Sequence, residues 1–397
     1  MTPASPNSVP ATADREYAVT WEEARDINRR RQRILSTILT KFERQEELEN
    51  GYLLAYPVRR IAPGKLLEYL MFLRTHHRAL TFEVVAGRDP AYTWIRITGS
   101  TEDKAFLNKM LHAPPFESRL QHVLRRGGRM LTRPWRVLPD FLIIGVAKGG
   151  TTSLYDALIQ HPGVAPAARK EVYYFDRWYE RGLPWYRSHF PTARTMRQCA
   201  ARSQGVSLTG EATPCYMIHP HVPRRIRAVL PGVRLIVLLR NPVERAYSFW
   251  QMQYRRGHEG LGFEAALDCE EARLAGEWEK MLADERYNSH THHRYSYLCR
   301  GHYADQLERW FAVFPREQFL ILKSETLYAD PAGTLDHVYR FLGLPAPPAA
   351  VASRYKRVNY VPYEGMSPAT RLRLQHYFAP HNARLCSLLG RDFGWDG

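Results

Sequence analysis

The stretch Pro139-Asp-Phe-Leu-Ile-Ile-Gly-Val-Ala-Lys-Gly-Gly-Thr-Thr-Ser-Leu154 constrains the fold more than any other part of the chain. Phe141–Val146 is a short continuous apolar run, as expected of a strand buried on both faces in a parallel sheet covered by helices. The run breaks into a glycine turn, and a helix is predicted from about Thr151 to Gln160, stopped by His161-Pro162. A strand, a glycine turn and a helix start together place free backbone N–H groups and the positive helix end around one anion. Gly149 and Gly150 let the backbone approach a phosphate closely. Thr151, Thr152 and Ser153 add hydroxyl donors, and Lys148 adds a mobile positive charge.

Two more apolar runs, Leu235–Leu239 and Phe319–Leu322, read as further doubly buried strands. Between them Leu307, Trp310, Phe311 and Phe314 form one face of a helix. Residues 139–397 are therefore predicted to be α/β, a P-loop-like parallel sheet flanked by helices. Upstream the texture differs. After a disordered lead (1–14), Thr20-x-x-Glu23 reads as a capping box opening a charged helix to about Arg44. A strand Gly51–Pro57, a helix Lys65–His77, a hairpin pair Leu80–Val85 and Tyr92–Thr98, and a helix Thr101–Leu111 follow. That αβαββα order predicts a small α+β domain over 15–112.

Residues 113–138 read as a basic connector. Arg119, Arg125, Arg126, Arg129, Arg133 and Arg136 fall there around Gly127-Gly128, either as a solvated linker or as an arm for an anionic surface. The whole chain of 397 residues has 56 basic and 40 acidic side chains, net +16. Such a balance suits nucleic acid, an acidic membrane surface, or a ligand bearing phosphate or sulfate. Five cysteines, few and widely spaced, exclude a disulfide scaffold. No uninterrupted apolar run is long enough to span a membrane. The first residues have no apolar core of a signal peptide, which gives a cytoplasmic reading.

Compared with the nucleotide-triphosphate loop G-x-x-x-x-G-K-[ST], Gly145 and Gly150 keep the glycine spacing, but Thr151 stands where the lysine belongs. The next apolar strand ends in Arg240-Asn-Pro instead of the Asp that holds Mg²⁺ in such enzymes. A cation in that place suits a ligand with an extra phosphate and no required metal. An ATP-dependent P-loop phosphotransferase is the rival enzyme reading, and a nucleic-acid binder the rival from another class.

Four segments in order, GVAKGGTTSL, KEVYYFD, GEATPCYM and RNPVERAYSFW, resemble the PAPS-dependent sulfotransferases, in the branch of the heparan sulfate N- and 3-O-sulfotransferases and their bacterial relatives. The resemblance covers about 139–397. It implies the sulfotransferase fold, PAPS as co-substrate and no metal for the chemical step. Lys148, Gly149, Gly150, Thr151, Thr152 and Ser153 would hold the 5′-phosphosulfate, and Arg240 and Ser248 the 3′-phosphate. Glu171 matches the catalytic base, and Lys148 would steady charge on the leaving oxygen. The acceptor would be a hydroxyl or amine of a carbohydrate or small metabolite, with no nucleic-acid partner. The heparan 3-O-type enzymes have His where Tyr173 stands. Their C-terminal Lys-Gly-Arg element is replaced by Asn359-Tyr360-Val361, with Lys356 and Arg357 just upstream. Their cysteine-bridged loop has no counterpart. Cofactor chemistry thus carries over and a heparan acceptor does not. The N-terminal part resembles a small bacterial domain of uncharacterised function, with His76 and His77 where that family often has a cysteine pair.

Two weaker features complete the reading. Ser289-His290-Thr-His292-His293 is either a metal-binding tract or, more simply, a mobile loop on the acceptor side. Trp178, Trp185 and Tyr186 are either core aromatics or a platform for stacking a sugar.

Overall fold

The computed structural model describes residues 34, 38, 41–76, 80–85, 89–100, 104, 107–108, 128–256, 258–346 and 365–395. The lead 1–14, Thr20 and Glu23, His77, most of the Thr101–Leu111 helix, connector residues 113–127, Lys356, Arg357 and Asn359–Val361 lie outside the described residues. The chain divides into two compact units, Met1–Ala113 and Pro114–Gly397.

In the first unit, β1 (Arg44–Leu48), β2 (Gly51–Pro57), β3 (Thr81–Val85) and β4 (Tyr92–Thr98) form an antiparallel sheet in the order β1-β2-β4-β3. Every residue of β2 is buried. Tyr52, Leu54 and Tyr56 pack with Ile95 and Ile97 of β4 and with Leu66 and Leu70 of the helix Pro63–His76. β1 is an addition to the sequence reading, which ended a helix at about Arg44 and named no strand after it. The segment Arg-Gln-Glu-Glu-Leu has good helix formers, yet it pairs with β2 from Arg44↔Ala55 to Leu48↔Gly51. Pairing to a buried neighbour overrode local propensity, and the solvated edge strand kept its polar side chains.

In the second unit, β5 (Phe141–Gly145), β6 (Val164–Pro166), β7 (Leu208–Ala212), β8 (Arg234–Leu239) and β9 (Phe319–Lys323) form a parallel sheet in the order β6-β7-β5-β8-β9. The apolar runs exist because both faces are covered. Phe141, Ile143, Ile236 and Leu238 face one helical layer, including Leu154, Leu158, Leu335 and Val338. Leu142, Ile144, Leu235 and Val237 face the other, with Ile226, Leu307, Trp310 and Phe314. The chain runs from β5 out to the edge strand β6 and back inward to β7 on one side, then crosses to β8 and β9 on the other. This reversal around β5 makes a crevice at the carboxyl ends of the strands, where open α/β sheets bind ligands.

The described end of the arginine-rich stretch belongs to this second unit. Arg136 donates to Phe190 O at 2.5 Å and bridges to Thr192, and Val137 N donates to Pro191 O at 3.0 Å.

Candidate functional site

The ends of all five strands contribute to the crevice. The loop after β5 carries Lys148–Gly150 and leads into the helix Thr151–Leu158. Lys148 and Gly150 both have positive φ, 71° and 89°, so a non-glycine residue and a glycine turn the backbone back toward the helix start. Gly149 N donates to Val146 O at 2.9 Å. A Cβ on Gly149 would lie 2.7 Å from Leu238 O, so only glycine fits between the loop and β8. Gly149 O in turn accepts from Ser324 Oγ at 2.6 Å, at the end of β9. A Cβ on Gly150 would come 2.6 Å from the Tyr328 hydroxyl. Thr151 and Ser153 are buried, and Thr152 is partly exposed.

Arg240 follows β8 and donates from Nη1 to Lys148 O at 3.0 Å, which brings the second cation of the sequence reading to the glycine loop. It does not pair with Glu244, whose carboxylate is taken by Arg371. Asn241 caps the helix Pro242–Arg255 by accepting from Val243 N at 3.0 Å, and Asn241 N donates to Glu325 Oε1 at 2.9 Å. Ser248 is buried on that helix, whose Val243 and Ala246 pack with Ala147 of the loop.

Glu171 lies in the segment after β6. Its Oε1 accepts from Lys170 Nζ at 3.1 Å and its Oε2 from the Tyr173 hydroxyl. Glu171 thus forms an ion pair with Lys170 and remains about one-third exposed, 34%. Lys170 Nζ also donates to Thr152 Oγ1 at 2.8 Å. One ammonium thus ties the candidate base to the phosphate loop. Tyr173 has φ 57°, rare for an aromatic residue, and the guanidinium groups of Arg177 and Arg169 lie over its ring at 4.6 Å and 5.8 Å. Burial, with Cys215 and Glu171 nearby, pushes the Tyr173 hydroxyl well above its ordinary pKa, so it stays a donor to Glu171.

The end of β7 holds this segment. Ala212 N donates to Lys170 O at 3.0 Å, and Glu211 Oε2 accepts from Val172 N at 3.0 Å. Lys170, Glu211, Thr213 and Ser324 were not singled out from the sequence. Glu211 stood inside GEATPCYM, where alternation with apolar residues was the available sign of an inward side chain. For Lys170, the sign was its place beside Glu171.

Two sequence readings are decided by the structure. Tyr186 is fully buried, stacks on Tyr174 at 4.5 Å and donates to Glu211 at 2.9 Å, so it is a core residue and not part of a sugar platform. Ser289 caps a helix, His290–Tyr295, in place of a loop, and His290 and His292 are buried. His293 meets Arg177 through Nε2. Burial and Arg177 hold its pKa well below the ordinary value, so the neutral ring accepts.

Residues 138–368 match the family described as sulfotransferase domain. The human heparan sulfate glucosamine 3-O-sulfotransferase 6 is 33% identical over 284 residues, covering 66% of this chain and 74% of that protein. The membrane-associated sulfotransferase kil1 of Dictyostelium discoideum is 28% identical over 324 residues, 65% of this chain and 66% of its own length. The human bifunctional heparan sulfate N-deacetylase/N-sulfotransferase 3 is 34% identical over 214 residues, 52% of this chain but 22% of that protein. Among solved structures, a sulfotransferase from Alicyclobacillus acidocaldarius is 28% identical with a TM-score of 0.48, covering 66% of this chain and 100% of its own.

Proposed function

We propose that this chain, which belongs to the sulfotransferase family, takes its sulfuryl group from PAPS and passes it to a hydroxyl or amine of a carbohydrate or small metabolite. The observation that carries the reading is the convergence of the glycine loop, the strand-end cation Arg240 and the candidate base Glu171 on one crevice, with Lys170 linking Thr152 to Glu171. Among the described residues no helix is long and apolar enough to cross a membrane. The five cysteines are all free, which supports a cytoplasmic or other reducing setting.

The donor set fits a bisphosphorylated nucleotide. Lys148, Gly149, Gly150, Thr151, Thr152 and Ser153 would hold the 5′ end, at a helix start whose two glycines pack closely against Leu238 O and the Tyr328 hydroxyl. Arg240 and Ser248 would hold the 3′-phosphate, the first as a charge-assisted fork and the second as a hydroxyl donor. PAPS, when bound, supplies a sulfuryl group already activated by its anhydride link to phosphate. The chain's residues do the rest. Glu171 takes the acceptor's proton as its oxygen or nitrogen attacks, and two further lone pairs remain on that carboxylate beside the bonds from Lys170 and Tyr173. Lys148 meets the charge that grows on the departing oxygen. Arg240 at the place of a metal-binding carboxylate speaks against Mg-ATP as the donor.

Thermal shift tests the cosubstrate directly. PAP is expected to raise the melting temperature, and Mg-ATP is not. Stabilisation by Mg-ATP alone would overturn the reading. A screen of cell-extract fractions with ³⁵S-labelled PAPS, read by mass spectrometry, identifies the acceptor.

A further inference from the structure

Glu211 is 0% exposed, at the carboxyl end of β7, and its carboxylate carries four hydrogen bonds. Oε2 accepts from Val172 N at 3.0 Å and Thr213 Oγ1 at 2.6 Å, and Oε1 accepts from the hydroxyls of Tyr186 and Tyr216, both at 2.9 Å. That fills the acceptor capacity of an ionised carboxylate. The partners reach further along the chain. Tyr216 OH also accepts from Tyr174 N at 3.0 Å, and Thr213 Oγ1 lies 3.5 Å from Tyr173 N. Ala212 N holds Lys170 O at 3.0 Å. The backbone on both sides of Glu171 is thus stitched, directly or through one hydroxyl, to a single buried acid. Among the described residues, Lys170 and Tyr173, its neighbours on the same segment, hydrogen-bond the Glu171 side chain.

We propose that Glu211 is the positioning residue of the Lys170–Tyr174 segment: as a carboxylate it fixes where Glu171 stands, and on protonation it lets that segment go. The inference rests on the reading of Glu171 as the base. Its physical reason is a mismatch of donors. Every group that faces Glu211 donates to it: Val172 N–H from the segment, Thr213 from the strand end, Tyr216 from the turn Pro214–Met217, and Tyr186 from the helix Gly182–Arg187. Tyr155, from the helix Thr151–Leu158, lies nearby and gives its hydroxyl to Gly210 O at 3.2 Å. Each of the four bonds favours the ionised carboxylate, so protonation of Glu211 weakens all of them. The three hydroxyls can turn to accept the new proton, whereas Val172 N–H can only donate, so its hold on the segment is the one that protonation loosens. Burial holds the Glu211 carboxyl up at about 7 against the opposing pull of its four donors, so the change falls near neutral pH.

Hydrogen exchange of the peptide spanning residues 170–175, followed across that pH range and corrected for intrinsic rates, reads the segment without any substrate. Protection is expected to fall below about pH 7 in the native chain. Glu211→Gln should lack protection at every pH, and Tyr186→Phe, which removes one donor and so disfavours the ionised form, should move the midpoint upward. Hydrolysis of ³⁵S-labelled PAPS, with water as the acceptor, should follow the same profiles and fall about tenfold or more in Glu211→Gln, while PAP affinity by calorimetry stays within about twofold. Superimposable exchange and pH profiles in the native chain and Tyr186→Phe overturn the proposal, as does a Glu211→Gln loss that appears as weaker PAP binding. Tyr186→Phe keeps the ring stacked on Tyr174 and carries the test if Glu211→Gln fails to fold. Glu171→Gln run alongside separates the two readings. Retained turnover there removes the base assignment itself, whereas an inactive Glu171→Gln beside a native-like Glu211→Gln removes only the positioning role.

Discussion

The glycine loop after β5 and the Glu171 segment after β6 stand side by side, joined by Lys170, yet they are held by opposite means. The glycine loop is set largely by its own backbone. Gly149 N returns to Val146 O, Gly150 sits at φ 89°, and Leu154 N returns to Gly150 O, all within nine residues of one another. The Glu171 segment has no such internal frame. Val172 N and Tyr174 N reach partners 39 and 42 positions away, and one buried carboxylate gathers them. A loop built from local backbone survives changes in its polar side chains and fails when a glycine is filled. A segment hung on a distant acid fails when that acid, or its protonation, changes.

The sharpest way to break this division is Glu171→Gln. Turnover is expected to drop about a hundredfold or more while PAP affinity, measured by calorimetry, holds. Near-native turnover would mean that the segment only binds. Gly149→Ala comes next. Its Cβ meets Leu238 O at 2.7 Å and Val146 Cγ2 at 2.9 Å, so the loop or β8 has to shift at a cost of about 1–3 kcal/mol. A lower melting temperature together with weaker PAP binding is expected, and an unchanged protein would show that the close approach is not required. Arg240→Ala should weaken PAP by about ten- to a hundredfold, the range for a hydrogen bond to a charged group. Adenosine 5′-phosphosulfate, which lacks the 3′-phosphate, should be nearly unaffected. Equal losses for both ligands would instead assign Arg240 to bracing Lys148 O. The smallest effect is expected of Thr152→Val, which removes the hydroxyl that Lys170 uses to link the loops. A fall in turnover below about tenfold fits one neutral hydrogen bond, and a larger fall would show the two loops acting as one element.

How legible each part was follows from the range of its interactions. Phe141–Val146 and Leu235–Leu239 announced doubly buried strands, because burial on both faces leaves no polar position in the run. The glycine turn and helix start were equally plain, since their geometry is enforced by neighbours in sequence. Arg44–Leu48 was not, because an edge strand with exposed Glu and Gln carries no periodic apolar signal and its partner lies across a turn. Tyr186 was left between two readings, and the Ser289–His293 tract misled, for a related reason. An aromatic or a histidine looks the same in sequence whether it faces solvent or packs in the core, and the structure buries Tyr186, His290 and His292. Glu211 was hidden most deeply. A single Glu in a mixed segment carries no sign that four donors from three other elements will converge on it.

The amino-acid order by itself determined an α/β catalytic unit, an anion-binding turn and a strand that ends in arginine instead of a metal-binding acid. These follow from hydrophobic periodicity, glycine's freedom and charge, all of which act over a few residues. Only the tertiary structure decided that Arg240 reaches Lys148 O, that Lys170 bridges Thr152 to Glu171, and that Glu211 anchors the segment carrying the candidate base. Those contacts join residues far apart in the chain, and the parallel sheet brings them together by ending neighbouring strands at one edge.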